Sequence, residues 1–369
     1  MLTRRHFLGL VPLLAGGGCL AGRSDDLLFV NGHFDASASD EAGRARHQVS
    51  AFRRDGDEIF RFALPDKAHG FAVDPTSTRV VSLPTLPGTR APVLDRRGRH
   101  LGTLHALPGH HFNGHGVYNH DGSTIYTTQN QSRDATGLIA EYDAVSHQLR
   151  RYIPTGGIGP HDLRLSNDGR TLFVAGGGIE TRPATGKREL NINTMHSELV
   201  LIDVLQGRIR ARYELPVPKL SIRHLDVSPG NRVLICCQYK GESEMPPLVA
   251  VLDEKGTLHV PDIPDDALWQ MKNYTACGRF VGEDIAVVSC PRGNRMTIWD
   301  LHNMRYVAAL DIDDVGGVEH VPGTRSVMAS ANTGELLDID VATQEIKPLG
   351  GPWQQARWTN HMFRLDARA

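Results

Sequence analysis

The chain has 369 residues and a formal net charge of −2, from 40 Lys and Arg against 42 Asp and Glu. That balance leaves no electrostatic footprint for a nucleic-acid partner. The 38 glycines, 21 prolines and 6% aromatic content point to a turn-rich protein, and 18 histidines are many for this length.

The first segment reads as an export signal. Thr3-Arg4-Arg5-His6-Phe7-Leu8 matches the twin-arginine pattern, and a short apolar run from Leu8 to Ala15 follows. This run is too short to cross a bilayer as a helix. Residues 1–21 are therefore expected to be the signal, and residues 22–369 a single exported, periplasmic domain. Gly16-Gly17-Gly18-Cys19 resembles a lipobox but lacks the usual Leu three residues before the Cys. Either Cys19 carries a lipid, the one route to a membrane in this sequence, or cleavage follows an ordinary small-residue site. In an oxidising compartment Cys236, Cys237, Cys277 and Cys290 either pair or stay as buried thiols. The adjacent Cys236 and Cys237 fall on opposite faces of one strand.

Three strands follow the signal: Leu27 to Val30, His47 to Phe52 and Glu58 to Leu64. A repeat then begins. His69-Gly70-Phe71-Ala72-Val73-Asp74-Pro75 leads into Arg79-Val80-Val81-Ser82. His115-Gly116-Val117-Tyr118 leads through Asn119-His120-Asp121-Gly122 into a second strand. His161-Asp162-Leu163-Arg164-Leu165 turns at Asn167-Asp168-Gly169, and His224-Leu225-Asp226-Val227 turns at Pro229-Gly230. A fifth copy opens on Cys277 and a sixth on Gly316-Gly317. His69, His115 and His161 are spaced by 46 residues each. The Asp-Gly and Pro-Gly pairs supply the turn residues that tight hairpins need.

Each copy carries two more strand signals, one of them an apolar run closing on an acidic residue, as in Leu199 to Asp203 and Met296 to Asp300. Four antiparallel strands at a period of ~40–50 residues define a β-propeller blade. Six blades run from residue 69 to about residue 349. The three N-terminal strands and a C-terminal strand, His361 to Leu365, complement each other as a seventh. The expected fold is all-β, a seven-bladed propeller whose last blade is closed by both chain ends. Only Asp265 to Lys272 reads as helical.

Innermost strands start at one face of a propeller, so His69, His115, His161, His224 and His361 belong at one mouth of the central channel. Convergent neutral imidazoles suit Fe, Cu or Zn. Repeated packing of one strand against the next blade explains the same recurrence without a metal. The register leaves the choice open. His69, His161 and His361 precede the last apolar residue of their strand by four positions, and His115 and His224 by three. Adjacent strand positions face opposite ways. Long loops share this mouth, among them the insertion from Gly176 to Glu198 and the His-rich turn from Gly109 to His115. His111, Arg133, Glu180 and His196 are the expected entrance residues. The sequence has no Cys-x-x-Cys-His for c-type haem, no Gly-x-Ser-x-Gly and no His-Glu-x-x-His.

The Thr3-Arg4-Arg5 signal, the His69 to Pro75 opening, Gly114-His115-Gly116 and Gly159-Pro160-His161-Asp162 resemble a family of twin-arginine-exported bacterial proteins of unknown function. Genes for that family often accompany imelysin-like iron-uptake proteins. The resemblance spans nearly the whole chain. It implies a periplasmic propeller that serves metal or iron acquisition, with an imelysin-like or other iron-uptake protein as partner. A wider resemblance is to the propellers of nitrous oxide reductase and of haem d1 enzymes, whose channel-mouth histidines bind copper or haem. The Gly159-Pro160-His161 stretch is also similar to propeller lactonases. The expectation is a metal ion or metal complex held at a His-lined mouth. A lactonase-like hydrolase on the same face and a non-catalytic interaction scaffold are the alternatives.

Overall fold

The computed structural model describes residues 27–39, 45–242 and 244–365. The twin-arginine segment and Cys19 lie outside them. Seven four-stranded antiparallel sheets make up the chain. Their innermost strands are Ala68–Val73, His110–Tyr118, Pro160–Leu165, Leu220–Val227, Cys277–Val281, Val315–His320 and Ala356–Leu365. Each packs against the next in chain order, and the last packs against the first, so the ring closes. Blades 1 to 6 are each built from four consecutive strands.

Blade 7 joins the two ends. Ala356–Leu365 pairs antiparallel with Leu28–Ser39, followed outward by Ala45–Arg53 and Glu58–Ala63. The final strand begins five residues before the point expected from sequence, because Trp358 contributes to an aromatic clasp. Trp353 and Trp358 lie 5.0 Å apart between ring centroids, and both pack on Phe52 at 5.6 and 5.5 Å. Trp353 Nε1 donates to the Gly56 carbonyl at 2.8 Å, which satisfies its one polar atom inside the cluster.

Arginines tie the blades round the ring. Arg79 of blade 1 donates to the Gly122 and Ala144 carbonyls of blade 2. Arg151 of blade 2 donates to Val204 of blade 3, and Arg232 of blade 4 to Leu301 of blade 5. Arg54 of blade 7 pairs with Asp338 of blade 6 at 2.8 Å. These contacts add to the apolar packing and to the other polar bonds between neighbouring blades. Among the described residues Cys236, Cys237, Cys277 and Cys290 are buried and unpaired, and the helix spans Asp265–Gln270. No helix among the described residues is long and apolar enough to cross a membrane.

The inner strands are not regular. Register shifts fall between Ala68 and Gly70, Phe112 and Gly116, Pro160 and Leu163, and Ile222 and His224. Another falls in blade 7, where the residues between Trp358 and Met362 sit opposite Gly32. The five strands that carry the clustered histidines thus each have a bulge at or beside that histidine. A bulge inserts unpaired residues, bends the strand and re-aims the side chain. It therefore removes the conflict between the three-residue and four-residue offsets. Of the two inner strands outside the cluster, Cys277–Val281 pairs with its neighbour without a shift, and Val315–His320 has one between Val315 and Gly317.

Candidate metal centre

The five inner-strand histidines form one cluster. His69 lies 4.8 Å from His115, 5.1 Å from His161 and 4.7 Å from His361, centroid to centroid. His115 is 4.8 Å from both His161 and His361, and His224 is 4.8 Å from His161 and 4.4 Å from His361. His115, His161, His224 and His361 are buried, while His69 is partly open to the cavity above. Two overlapping triads, His69–His115–His361 and His115–His161–His224, hold their ligand atoms within 4.8 Å of one another.

Small residues make this crowding possible. Gly114 adopts φ +101°, and a Cβ there would lie 2.5 Å from Cδ2 of His69. In blade 6 a Cβ at Gly317 would meet the Met362 amide nitrogen at 2.9 Å. That blade gives up side chains at the histidine position so that the strand carrying His361 can pass. Blade 5 offers Cys277, whose thiol donates to the Val318 carbonyl at 3.4 Å and so turns to the next blade.

Burial is the main force on the cluster's protonation. It pushes His69, His161, His224 and His361 well below the ordinary imidazole range, and their mutual proximity pushes the same way, joined by Arg223 at the first three and by Arg279 at His361. His115 is lowered too, but Asp162 opposes the burial. Asp162 is fully buried, with Oδ1 3.1 Å from His115 Nδ1 and 2.7 Å from Arg164. Burial alone raises its carboxyl, yet Arg164 and His115 hold it well below the usual carboxylate range. The cluster is thus a set of neutral imidazoles backed by one anion.

Several ring nitrogens have no hydrogen-bond partner: both nitrogens of His115, which lies against the Asp162 carboxylate without a hydrogen bond to it, His224 Nδ1 and His361 Nε2. Buried polar atoms are normally satisfied, so unpaired nitrogens on three converging rings form a donor set that suits an ion. Imidazole nitrogens bound at 2.0–2.1 Å to one tetrahedral ion sit ~3.3 Å apart. His69 Nε2 and His161 Nε2 are 3.3 Å apart and hydrogen-bonded to each other, a pair that an ion would replace. The residues fit a transition metal.

Above the cluster lies a cavity of about 350 Å³. His69, His161 and His224 form part of its lining, with Lys67, Lys187, Glu189, Arg223 and Tyr274 around them. The insertion expected to overhang the mouth does so through Ile179, Thr181, Lys187 and Glu189. The four residues expected at the entrance are not among those lining the cavity. His111 is buried behind Ser132, with Nδ1 3.0 Å from its hydroxyl, and burial pushes its pKa down to about 4. It lies inside strand His110–Tyr118, not in the turn read from sequence, because the strand continues past its bulge. Arg133 is exposed and pairs with Asp134. Glu180 pairs with Arg182. His196 meets Glu214 at 3.2 Å at the outer edge of blade 3, and its other carboxylate neighbour, Glu198, is held by Arg212. Lys67 and Arg223 went unread in the sequence, although each lies within two residues of a cluster histidine.

Fold and site together define a seven-bladed β-propeller with a buried polyhistidine centre beneath one mouth of its channel. Residues 62–365 match the family described as protein of unknown function (DUF1513), and the chain belongs to that family. No curated protein matches the sequence. Among solved structures the chain is similar to Kuenenia stuttgartiensis hydrazine synthase, with 14% identity and TM-score 0.59, over 83% of this chain and 90% of that one. It is also similar to U3-55K, with 13% identity and TM-score 0.59, over 78% and 82% of the two chains. At these identities the likeness is one of fold.

Proposed function

We propose that the His69–His115–His161–His224–His361 cluster binds a transition-metal ion, Fe, Cu or Zn, and that the protein handles this metal as a periplasmic accessory to iron uptake. The observation that carries the metal reading is the convergence of five neutral imidazoles into two overlapping triads whose ligand atoms lie within 4.8 Å of one another, with unpaired nitrogens on three of the rings. Metal ligation requires neutral imidazole, and burial supplies it at no expense of protons at neutral pH. Asp162 is the anion behind His115, as carboxylates stand behind ligating histidines elsewhere. The iron-uptake role rests on the family resemblance and its imelysin-like gene neighbours, and the compartment on Thr3-Arg4-Arg5.

Elemental analysis of the protein recovered from the periplasm tests the reading. Stoichiometric Fe, Cu or Zn, lost in His161→Ala/His224→Ala, supports it. Protein without metal, and without a thermal shift on adding each ion, refutes it. Arg4→Lys/Arg5→Lys tests the route, since the variant is expected to stay in the cytoplasm. Co-purification with an imelysin-like protein tests the partner.

A further inference from the structure

The cavity over the histidines has a charge imbalance that a metal alone makes worse. Lys67, Lys187 and Arg223 all face it. Its one carboxylate, Glu189, is held by Lys240 at 2.7 Å. Asp162, on the cluster side, is already engaged by Arg164. No carboxylate lies within ion-pair distance of Lys67, Lys187 or Arg223 among the described residues. Arg223 Nε is buried and has no hydrogen-bond partner. A guanidinium keeps its charge in proteins, and the nearby Glu189 offsets it only in part because Lys240 already holds that carboxylate. Adding a cation to the cluster beneath would deepen the excess.

The remaining lining is suited to oxygen ligands. Asn113, Asn130, Asn360, Gln238 and the Tyr274 hydroxyl border the same space. Asn130 and Gln238 are buried, and Gln238 is oriented by a bond from its Nε2 to the Thr275 carbonyl at 3.1 Å. Asn113 is set by bonds of 2.8 Å to Asn130 Oδ1 and to the Pro160 carbonyl. A volume of about 350 Å³ falls in the range of small-molecule sites.

We infer that this cavity is a subsite for a small multidentate oxygen anion, a polycarboxylate or a phosphate, held by Lys67, Lys187 and Arg223 directly above the histidine cluster. The inference rests on the metal reading for its second half: the anion completes the coordination of an ion held from below by imidazoles. Arg223 and Lys67 then hold the anion from the channel wall, one residue before His224 and two before His69. Lys187, on the exposed insertion, closes over it. Such a site accepts a metal together with its anionic chelator, or keeps the metal by supplying an anion from solution.

The test is isothermal titration calorimetry of the full chain with citrate and, separately, with inorganic phosphate, each with metal-loaded and metal-stripped protein of measured metal content. Lys187→Gln sits on an exposed loop and leaves the blade cores untouched, and Lys67→Gln is the second variant. Binding of either anion that weakens about tenfold in each variant, as expected for loss of a charge-assisted bond, supports the subsite. Citrate bound more tightly than phosphate identifies a carboxylate chelator, and the reverse a phosphate. No binding of either anion, or binding that neither lysine variant changes, overturns it. The two readings fail separately. Metal-loaded protein that ignores both anions keeps the metal and loses the subsite. Protein that takes up no metal yet binds citrate through Lys187 loses the metal and keeps the subsite.

Discussion

Asp162 Oδ1 stands 3.1 Å from His115 Nδ1, with both residues buried. The carboxylate also accepts the Leu163 amide at 2.8 Å and, through Oδ2, the Leu225 amide at 2.9 Å. One side chain thereby links the inner strands of blades 2, 3 and 4. It sets a negative charge against the Nδ1 edge of His115, whose Nε2 has no hydrogen-bond partner.

Asp162→Asn is expected to weaken metal binding by ~10–100-fold, the usual effect of losing a carboxylate behind a ligating histidine. It also leaves Arg164 without its anion. Denaturant unfolding of the metal-free variant is expected to show a loss of about 3 kcal/mol. Competition against a chromophoric chelator reads the first effect separately from the second.

Stability of the metal-free protein should depend on pH with a definite sign. The folded pKa values of His69, His161, His224 and His361 lie well below 6.5, their value when exposed. His33 is pushed down to about 4 by burial. Below pH 6.5 the unfolded chain binds protons that the folded chain refuses, so stability falls as pH falls. Each neutral imidazole contributes a slope of up to ~1.4 kcal/mol per pH unit. Urea denaturation between pH 7.5 and ~5 measures it. Replacing His161 and His224 with Gln is expected to flatten the curve.

Ring closure gives a third expectation. Trp358 is 4% exposed and packs on Trp353, Phe52 and His33. Trp358→Ala opens a void in the blade that joins the two ends of the chain. Unfolding measurements are expected to show about 3–5 kcal/mol lost, with apolar substitutions on the outer strands of other blades well below that.

Gly114→Ala tests the crowding of the rings. A Cβ there clashes with His69, and the φ of +101° disfavours any side chain. The expected outcome is about 1–3 kcal/mol of destabilisation and a weaker metal site. Gly109 is a control at positive φ with open space around its Cβ position. Gly109→Ala should carry backbone strain but leave metal affinity unchanged.

The propeller was legible because its repeat is periodic. The equal spacing of His69, His115 and His161, and the complementary leftovers at the two ends, determine the blade count and the closure. The five histidines were legible for the same reason. Their convergence was not, because a period-two reading cannot locate a bulge, and every strand concerned has one. Lys67 and Arg223 were overlooked because single basic residues carry no pattern of their own. Their position just before His69 and His224 was the available signal. Arg133, Glu180 and His196 were read as entrance residues from loop membership alone, and loop membership does not say which way a side chain turns. Lys187 and Glu189, on the same insertion as Glu180, are the ones that line the cavity.

The most direct measurement is metal content combined with X-ray absorption spectroscopy on the full chain, in the wild type and in His115→Ala/His161→Ala/His224→Ala. The account predicts a stoichiometric transition metal in the wild type, with at least three imidazole nitrogens at ~2.0–2.1 Å, and none in a variant that still gives the far-UV circular dichroism of a folded β-protein. A folded wild-type protein that neither retains nor takes up Fe, Cu or Zn, or a triple variant that binds metal as the wild type does, would contradict it.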